Sequence, residues 1–348
     1  MTRPTRPTFP TRSGRVLRWG AVVLSAFCLV WATAPLWGRF TAALPDALAW
    51  SVPVAQASWP VGATLTVVAV TGAGVRAGRT VPVVVLGAGV LVTAGLAPAA
   101  LDHAGRSAGL PDSTRDRAPG TFRVLSVNTW YHQADRTALA DIARDLRPDA
   151  VMLLETSTAE AAAVAEVTGL RSVLPVSTRS RGGGTALLLP PDEISGAPFP
   201  AYDAHLTRHQ MPVAGVRSGA TLTAVHTNAP FNRELVAGWT REFDDLRDRV
   251  AGRAATTPLL IAGDLNASGA HPEFRRLTDG LSDCTGATSG MLAAPTWPAA
   301  GVASWPVARL DHILVRGGDC LAGGTVDVPG SDHRGVWADV RWARGAGH

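Results

Sequence analysis

Leu259-Leu260-Ile261-Ala262-Gly263-Asp264-Leu265-Asn266 reads as a buried apolar strand that stops at a glycine, a carboxylate and an amide. Four apolar residues in succession suit a strand covered on both faces. Asp264 and Asn266 are two apart, so at an extended strand end their side chains point the same way and can share one phosphate or one water. The same tetrapeptide also suits an ordinary Asx turn. Two further stretches repeat the theme: Leu310-Asp311-His312-Ile313-Leu314, and Ser331-Asp332-His333 close to the C-terminus. In the first of these, Asp311 and His312 face opposite sides of a strand, so only one enters a site, and His312 reads as the packing residue. Ser331-Asp332-His333 follows Gly330, which equally suits a solvated turn.

Working outward, the second half alternates strands and helices. Phe122 to Val127 alternates into a strand ending at Asn128, and Leu139, Ile142, Ala143 and Leu146 mark one helix face. A strand from Ala150 to Leu154 delivers Glu155 at its end. Such a carboxylate either needs a metal or arginine partner or serves as a helix N-terminal acid before Thr156 and Ser157. Further strands are expected at Thr185 to Leu189, Thr221 to His226, Leu310 to Val315 and Gly335 to Val340, with a helix striped by Leu235, Trp239, Leu246 and Val250. The expected architecture is α/β, a four-layer αββα sandwich of two mixed sheets. No internal repeat is visible.

Residues 1–120 have another character. Of the 348 residues, 46% are hydrophobic and the mean hydropathy is +0.13, but nearly all the long apolar runs fall in this part. Three of them, roughly Trp19 to Trp37, Val52 to Val75 and Val81 to Leu101, are each about 20 residues, enough to cross a hydrocarbon core. Pro53 and Pro60 weaken the second, although membrane helices tolerate proline where neighbours cover the freed carbonyl. A cleaved signal peptide is the alternative for the first, and two further runs favour retention. Arg3, Arg6, Arg12, Arg15 and Arg18 precede the first run and Arg76 and Arg79 separate the second from the third, so both segments are expected in the cytoplasm. Three plasma-membrane spans starting inside place the C-terminal domain outside the cell. Trp19, Trp37, Trp50 and Trp59 fall near the span ends, where indoles favour the headgroup zone. The division is therefore a basic cytoplasmic N-terminus (1–18), a three-helix transmembrane region (19–101), a Gly/Pro/Ser/Arg-rich linker (102–120) and an extracytoplasmic domain (121–343).

Charge separates the halves too. Residues 1–120 hold eleven arginines against four acidic residues, a net +7, which leaves −3 for 121–348 out of the chain's +4. A protein that tracks nucleic-acid backbones gathers cations on one face, so bulk DNA or RNA is a disfavoured partner. All 32 basic side chains other than histidine are arginine, so a phosphate clamp must come from arginine, histidine or backbone amides. Arg179-Ser180-Arg181-Gly182-Gly183-Gly184 is a compact basic loop, either a second phosphate contact through Arg181 or a flexible surface loop. Cys28 reads as packing. Cys284 and Cys320 fit no zinc spacing and can form one disulfide in an oxidising compartment. His226 ends a strand and opens His-Thr-Asn-Ala-Pro, where an imidazole can donate to a phosphate oxygen or merely pack. Trp297 and Trp305, each before a proline, either line an apolar mouth or cap a sheet edge.

Taken in order, Asn128, Glu155, His226, Gly-Asp-Leu-Asn at 263–266, Asp311 and Ser-Asp-His at 331–333 resemble the endonuclease/exonuclease/phosphatase superfamily over about residues 121–343. With three preceding spans, the chain is most similar to the actinomycete membrane members associated with teicoplanin-type glycopeptide resistance. The resemblance implies a phosphoric ester or pyrophosphate hydrolase using Mg²⁺, or Mn²⁺ in its place. Glu155, Asn128 and Asp332 are then the metal ligands. His333, oriented by Asp311, activates water or donates to phosphate. Asp264 and Asn266 position the nucleophile, while His226, Asn128, Asn266 and Arg181 bind substrate. The expected partners are the lipid bilayer and a lipid-linked phosphate, such as a polyprenyl pyrophosphate or cell-wall precursor, with no obligate protein partner. An extracellular nuclease and a non-catalytic envelope-binding protein are the competing classes. The first requires a basic groove, and the second is incompatible with activity that depends on Asp264.

Overall fold

The computed structural model describes residues 117–343 except 178–182, 197–200, 287–293, 301–305 and 307, and before these only 26–33, 63, 65 and 66. The expected basic N-terminus, most of the three apolar runs, the linker up to 116, Arg181 and Trp305 lie outside the described residues. Among the described residues no helix is long and apolar enough to cross a membrane.

Among the described residues twelve strands form two mixed six-stranded sheets. Sheet A contains β1 (Phe122–Asn128), β2 (Ala150–Thr156), β3 (Arg171–Ser172), β4 (Gly184–Leu189), β11 (Gly318–Val326) and β12 (Gly335–Trp342), in the order β11-β12-β1-β2-β4-β3. Sheet B contains β5 (Tyr202–His205), β6 (Gln210–Gly215), β7 (Thr221–His226), β8 (Leu259–Asp264), β9 (Ser282–Asp283) and β10 (Asp311–Arg316), in the order β5-β6-β7-β8-β10-β9. The centre of each sheet is a parallel pair, β1 with β2 and β7 with β8, flanked by antiparallel neighbours. Among the described residues from 117 onward the α-helices are α1 (Arg136–Leu146), α2 (Thr158–Thr168), α3 (Pro191–Gly196), α4 (Arg233–Ala251) and α5 (Pro272–Leu277).

Strand alternation sorts the apolar residues into three layers of contact. Val124, Met152, Leu187, Leu222, Leu260 and Ile313 meet between the sheets. Leu125, Val127 and Leu153 face the other way, onto Leu139, Ala143 and Leu146 of α1 and Val164 of α2. Val225, Ile261 and Leu314 likewise pack beneath Trp239, Phe243 and Leu246 of α4 and Phe274 of α5. The result is the expected αββα order. Helix boundaries follow local chemistry. Asp135 caps α1 by accepting the Thr137 and Ala138 amides, and Ser157 with Glu160 forms a capping box on α2. Helix α2 was not legible from periodicity, because its alanine-rich sequence presents no sharp apolar stripe. In sheet A the buried Arg123 pairs with Asp339 through Nε and Nη2 at 2.7 and 2.8 Å and donates to Leu146 O, tying β1 to β12 and to the end of α1.

Alternation also directs the polar ends. Asn128 continues the inward series of Val124 and Ser126, His226 that of Leu222 and Ala224, and Asp264 that of Leu260 and Ala262. His226 pairs with Asp264 across β7 and β8, and Asp264 with Asp311 across β8 and β10, so the three form one row over sheet B. Gly263 is required there. Its φ is 151°, and a Cβ would stand 1.8 Å from Val225 O on the neighbouring strand.

Candidate active site at the strand ends

The carboxyl ends of β1, β2, β7 and β8 open at one edge of the sandwich, where crevices of open α/β sheets take ligands. Asp264 Oδ2 is the focus. Asn128 Nδ2 donates to it at 3.1 Å and Asn266 Nδ2 at 3.4 Å, while His333 Nε2 and His226 Nε2 lie 3.8 and 3.9 Å away. Asp264 Oδ1 accepts the Asn266 amide at 2.8 Å, so the Asx-type turn and the inward-facing carboxylate occur together. Asn266 sits at φ 46°, held by a second bond from Nδ2 to Thr227 O.

Glu155 reaches the site by another route. On a regular strand it would follow Leu153 toward the helices, but the β2–β4 register shifts between Leu153 and Thr156, and Glu155 has φ 52°. The irregularity turns its side chain inward. Oε1 accepts Asn128 Nδ2 at 3.2 Å and Oε2 the Tyr131 amide at 2.9 Å. Asn128 therefore bridges Glu155 and Asp264, while its Oδ1 accepts the Trp130 amide. Helix α2 starts beyond Ser157, so Glu155 does not act as an acid of its first turn.

His333 Nδ1 stands 2.7 Å from Asp311 Oδ2, and its Nε2 is 4.0 Å from Asp332 Oδ1. Ser331 Oγ donates to Asn128 O and accepts the His333 amide, joining the loop before β12 to β1. Burial alone would lower the His333 pKa, but Asp311, Asp264 and Asp332 outweigh it and push it up to about 10. Burial raises Asp264 to about 7 against the pull of His333, and it also raises Glu155. His226 moves well below its ordinary value, first through burial and then through His209 and His333.

Several participants had no sequence signal of their own. Thr296 Oγ1 accepts the Leu310 and Asp311 amides, and the His209 ring lies 4.2 Å from that of His226; Trp297, read from the sequence as lining an apolar mouth or capping a sheet edge, donates from Nε1 to Asp332 Oδ2 at 3.3 Å. Glu242 binds the Asn228 amide and side chain at 2.7 and 2.8 Å. A carboxylate on the buried stripe of α4 between Trp239 and Leu246 was the available clue. His312 is buried away from the site, between Asp283 Oδ2 at 2.8 Å and Ala267 O at 2.9 Å. Cys284 and Cys320 are joined by a disulfide.

The donors suit a hard cation. Asp311 Oδ1 is buried and takes no hydrogen bond, and Asp264, Asp311 and His333 lie with side-chain atoms within 4.8 Å of one another, where the two carboxylates supply the lone pairs and the protonated imidazole none. Glu155 and Asp332 add an oxygen-only group beside them, the kind Mg²⁺ prefers.

The sequence model of the endonuclease/exonuclease/phosphatase family matches residues 125–333, more than half of the chain. Among solved structures, an endonuclease/exonuclease/phosphatase from Beutenbergia cavernae is 20% identical, with 64% of this chain and 72% of that one covered and a TM-score of 0.50. TDP2 from Caenorhabditis elegans is 18% identical, with 64% and 75% covered and a TM-score of 0.49. The mannosyl-6-phosphatase of Bacteroides thetaiotaomicron is 14% identical, with 63% and 99% covered and a TM-score of 0.49. At 20% identity the likeness to the Beutenbergia cavernae structure is one of fold. No curated protein sequence matches the chain.

Proposed function

The chain belongs to the endonuclease/exonuclease/phosphatase family, and on that premise we propose that it is a Mg²⁺-dependent hydrolase of a phosphoric ester or anhydride, anchored in the plasma membrane with its site outside the cell. The observation that carries the reading is the convergence of Asn128, Asn266, His226 and His333 on Asp264 Oδ2, with Asp311 behind His333.

Each side chain has a task set by its geometry. Asp264, raised to about 7, is matched to accept a proton from water near neutral pH. Asn266, fixed by Thr227, orients that water. A carboxylate only accepts, so Asp311 keeps the proton on His333 Nδ1 and leaves Nε2–H directed at the reacting phosphoryl group. With its pKa near 10, His333 is an imidazolium at pH 7 and stabilises charge there. His226, held neutral, donates to a phosphoryl oxygen without adding buried charge. Glu155 and Asp332, with Asn128 beside them, would hold Mg²⁺, which supplies Lewis-acid polarisation of the phosphoryl oxygen.

The substrate we favour is a lipid-linked phosphate, a polyprenyl pyrophosphate or another cell-wall precursor, and the biological role is a contribution to glycopeptide resistance. The apolar runs and arginine placement of residues 1–101 support anchoring with the N-terminus in the cytoplasm. The disulfide supports an oxidising compartment. The −3 charge of 121–348 argues against a polynucleotide. Detergent-purified full-length protein with Mg²⁺ should release phosphate from undecaprenyl pyrophosphate and leave supercoiled DNA intact, with His333→Ala as the blank. Nicking of DNA alone would replace this reading with a tethered nuclease. A deletion strain with unchanged teicoplanin sensitivity and precursor pools would remove the resistance role.

A further inference from the structure

One titratable group beside the site has no part in the steps above. His209 occupies the tip of the β5–β6 hairpin, closed by the bond from the Leu206 amide to His209 O at 3.0 Å. Its ring lies against His226 with centroids 4.2 Å apart and planes 41° to one another. Among the described residues neither ring nitrogen has a hydrogen-bond partner. The position is built rather than incidental. Buried Glu242 of α4 accepts from Thr207 of the hairpin and from both nitrogens of Asn228 in the loop after β7, locking the tip to the strand that carries His226.

We propose that His209 is a second phosphate-binding residue, and that the substrate of this site is a diphosphate whose second phosphate, next to the scissile phosphoryl group, lies against the His209 imidazole. This rests on the reading that His226 meets the scissile group. The charge distribution selects the direction. Glu155, Asp264, Asp311 and Asp332 line the inner side of the site, and carboxylates repel a second phosphate. On the His226 side stand His209 and Arg208, the latter tied to Glu234 at 2.6 Å in an exposed ion pair that holds it only weakly. Burial, followed by Arg208, lowers the His209 pKa to about 4, so the ring is neutral and offers one N–H without burying a charge. On hydrolysis, the water oxygen joins the terminal phosphorus and the bridging P–O bond breaks. The phosphate held by His209 departs with the bridging oxygen.

The test uses full-length protein in detergent without divalent metal, titrated calorimetrically with inorganic pyrophosphate and orthophosphate. Wild type should bind pyrophosphate about tenfold more tightly, the worth of one hydrogen bond to a charged group. His209→Phe keeps the stacked ring and removes the N–H, so it should lose that preference while keeping its orthophosphate affinity. His209→Gln, which retains a donor, should recover part of it and serves as well if the phenylalanine variant does not fold. Equal affinities in wild type, or a preference that survives both substitutions, would overturn the proposal. A protein that prefers pyrophosphate through His209 yet hydrolyses no phosphate ester or anhydride would sink the catalytic reading and leave this one standing.

Discussion

His333 Nδ1 and Asp311 Oδ2 meet at 2.7 Å across the two sheets, one from the loop before β12 and the other from the first residue of β10. The contact orients an imidazole and supplies part of the field that keeps it protonated. Asp311→Asn should therefore lower kcat by about 100-fold, and His333→Ala by about 1,000-fold, in line with lost acid–base assistance. Phosphate-release kinetics on matched, folded proteins decide it, and a near wild-type Asp311→Asn would show the contact to be structural only.

Glu155 enters the site through an irregular strand and offers both oxygens next to Asp264. If it holds Mg²⁺, saturating metal should stabilise wild type by about 2.7 kcal/mol at a hundredfold excess over Kd. Glu155→Gln should lose most of that gain. Thermal melts with and without Mg²⁺ measure it, and an undiminished shift in the variant would assign the cation to other ligands.

Gly263 allows β8 to lie against β7 while delivering Asp264. A methyl group at this position would overlap the Val225 carbonyl oxygen, at 1.8 Å. Gly263→Ala should cost about 3 kcal/mol or more through opened pairing and forced backbone strain. A denaturant midpoint equal to wild type would refute the close approach.

His209 contributes a pH dependence of stability. Its pKa is about 4 in the folded chain and about 6.5 when unfolded. Below the unfolded value only the unfolded chain takes up the proton. Stability therefore falls as pH drops from about 6.5 to about 4, by up to about 3 kcal/mol, and flattens below. His209→Phe should lack this component, so wild type should lose stability relative to the variant as pH falls across that window. Parallel pH profiles would refute it.

The Cys284–Cys320 disulfide, 36 residues apart, restricts the unfolded chain. Replacing both by alanine, or reducing the bond, should cost about 4 kcal/mol on the loop-entropy relation. Melts with and without reductant would show it, and coincident curves would place these residues outside the folding energetics.

Much of the site was legible because strand alternation is local. Asp264 and His226 each end an inward series of apolar residues and Asn128 the series of Val124 and Ser126, and period two carries each side chain inward. Glu155 was legible as a strand-end carboxylate but not as an inward one, since its orientation depends on a register shift against β4. His209 and Thr296 were not legible as neighbours of the site, because their partners lie 17 and 15 residues away, and Trp297 was legible only as an aromatic ahead of the Asp311 strand, since its bond to Asp332 spans 35 residues.

The order of apolar strands, helices and strand-end polar groups is a property of the chain itself, since it follows from side-chain type and backbone period alone. Those regularities determined the two-sheet α/β architecture and which strand-end polar groups were candidates for a site. Which carboxylate faces which imidazole was decided only when β1 and β2 of one sheet met β7, β8 and β10 of the other. There burial raises Asp264 toward neutrality, opposed carboxylates hold a proton on His333, and a second histidine comes to rest on His226. Electrostatic energies depend on distance and on exclusion from water, and both are fixed by the packing of segments far apart in the chain.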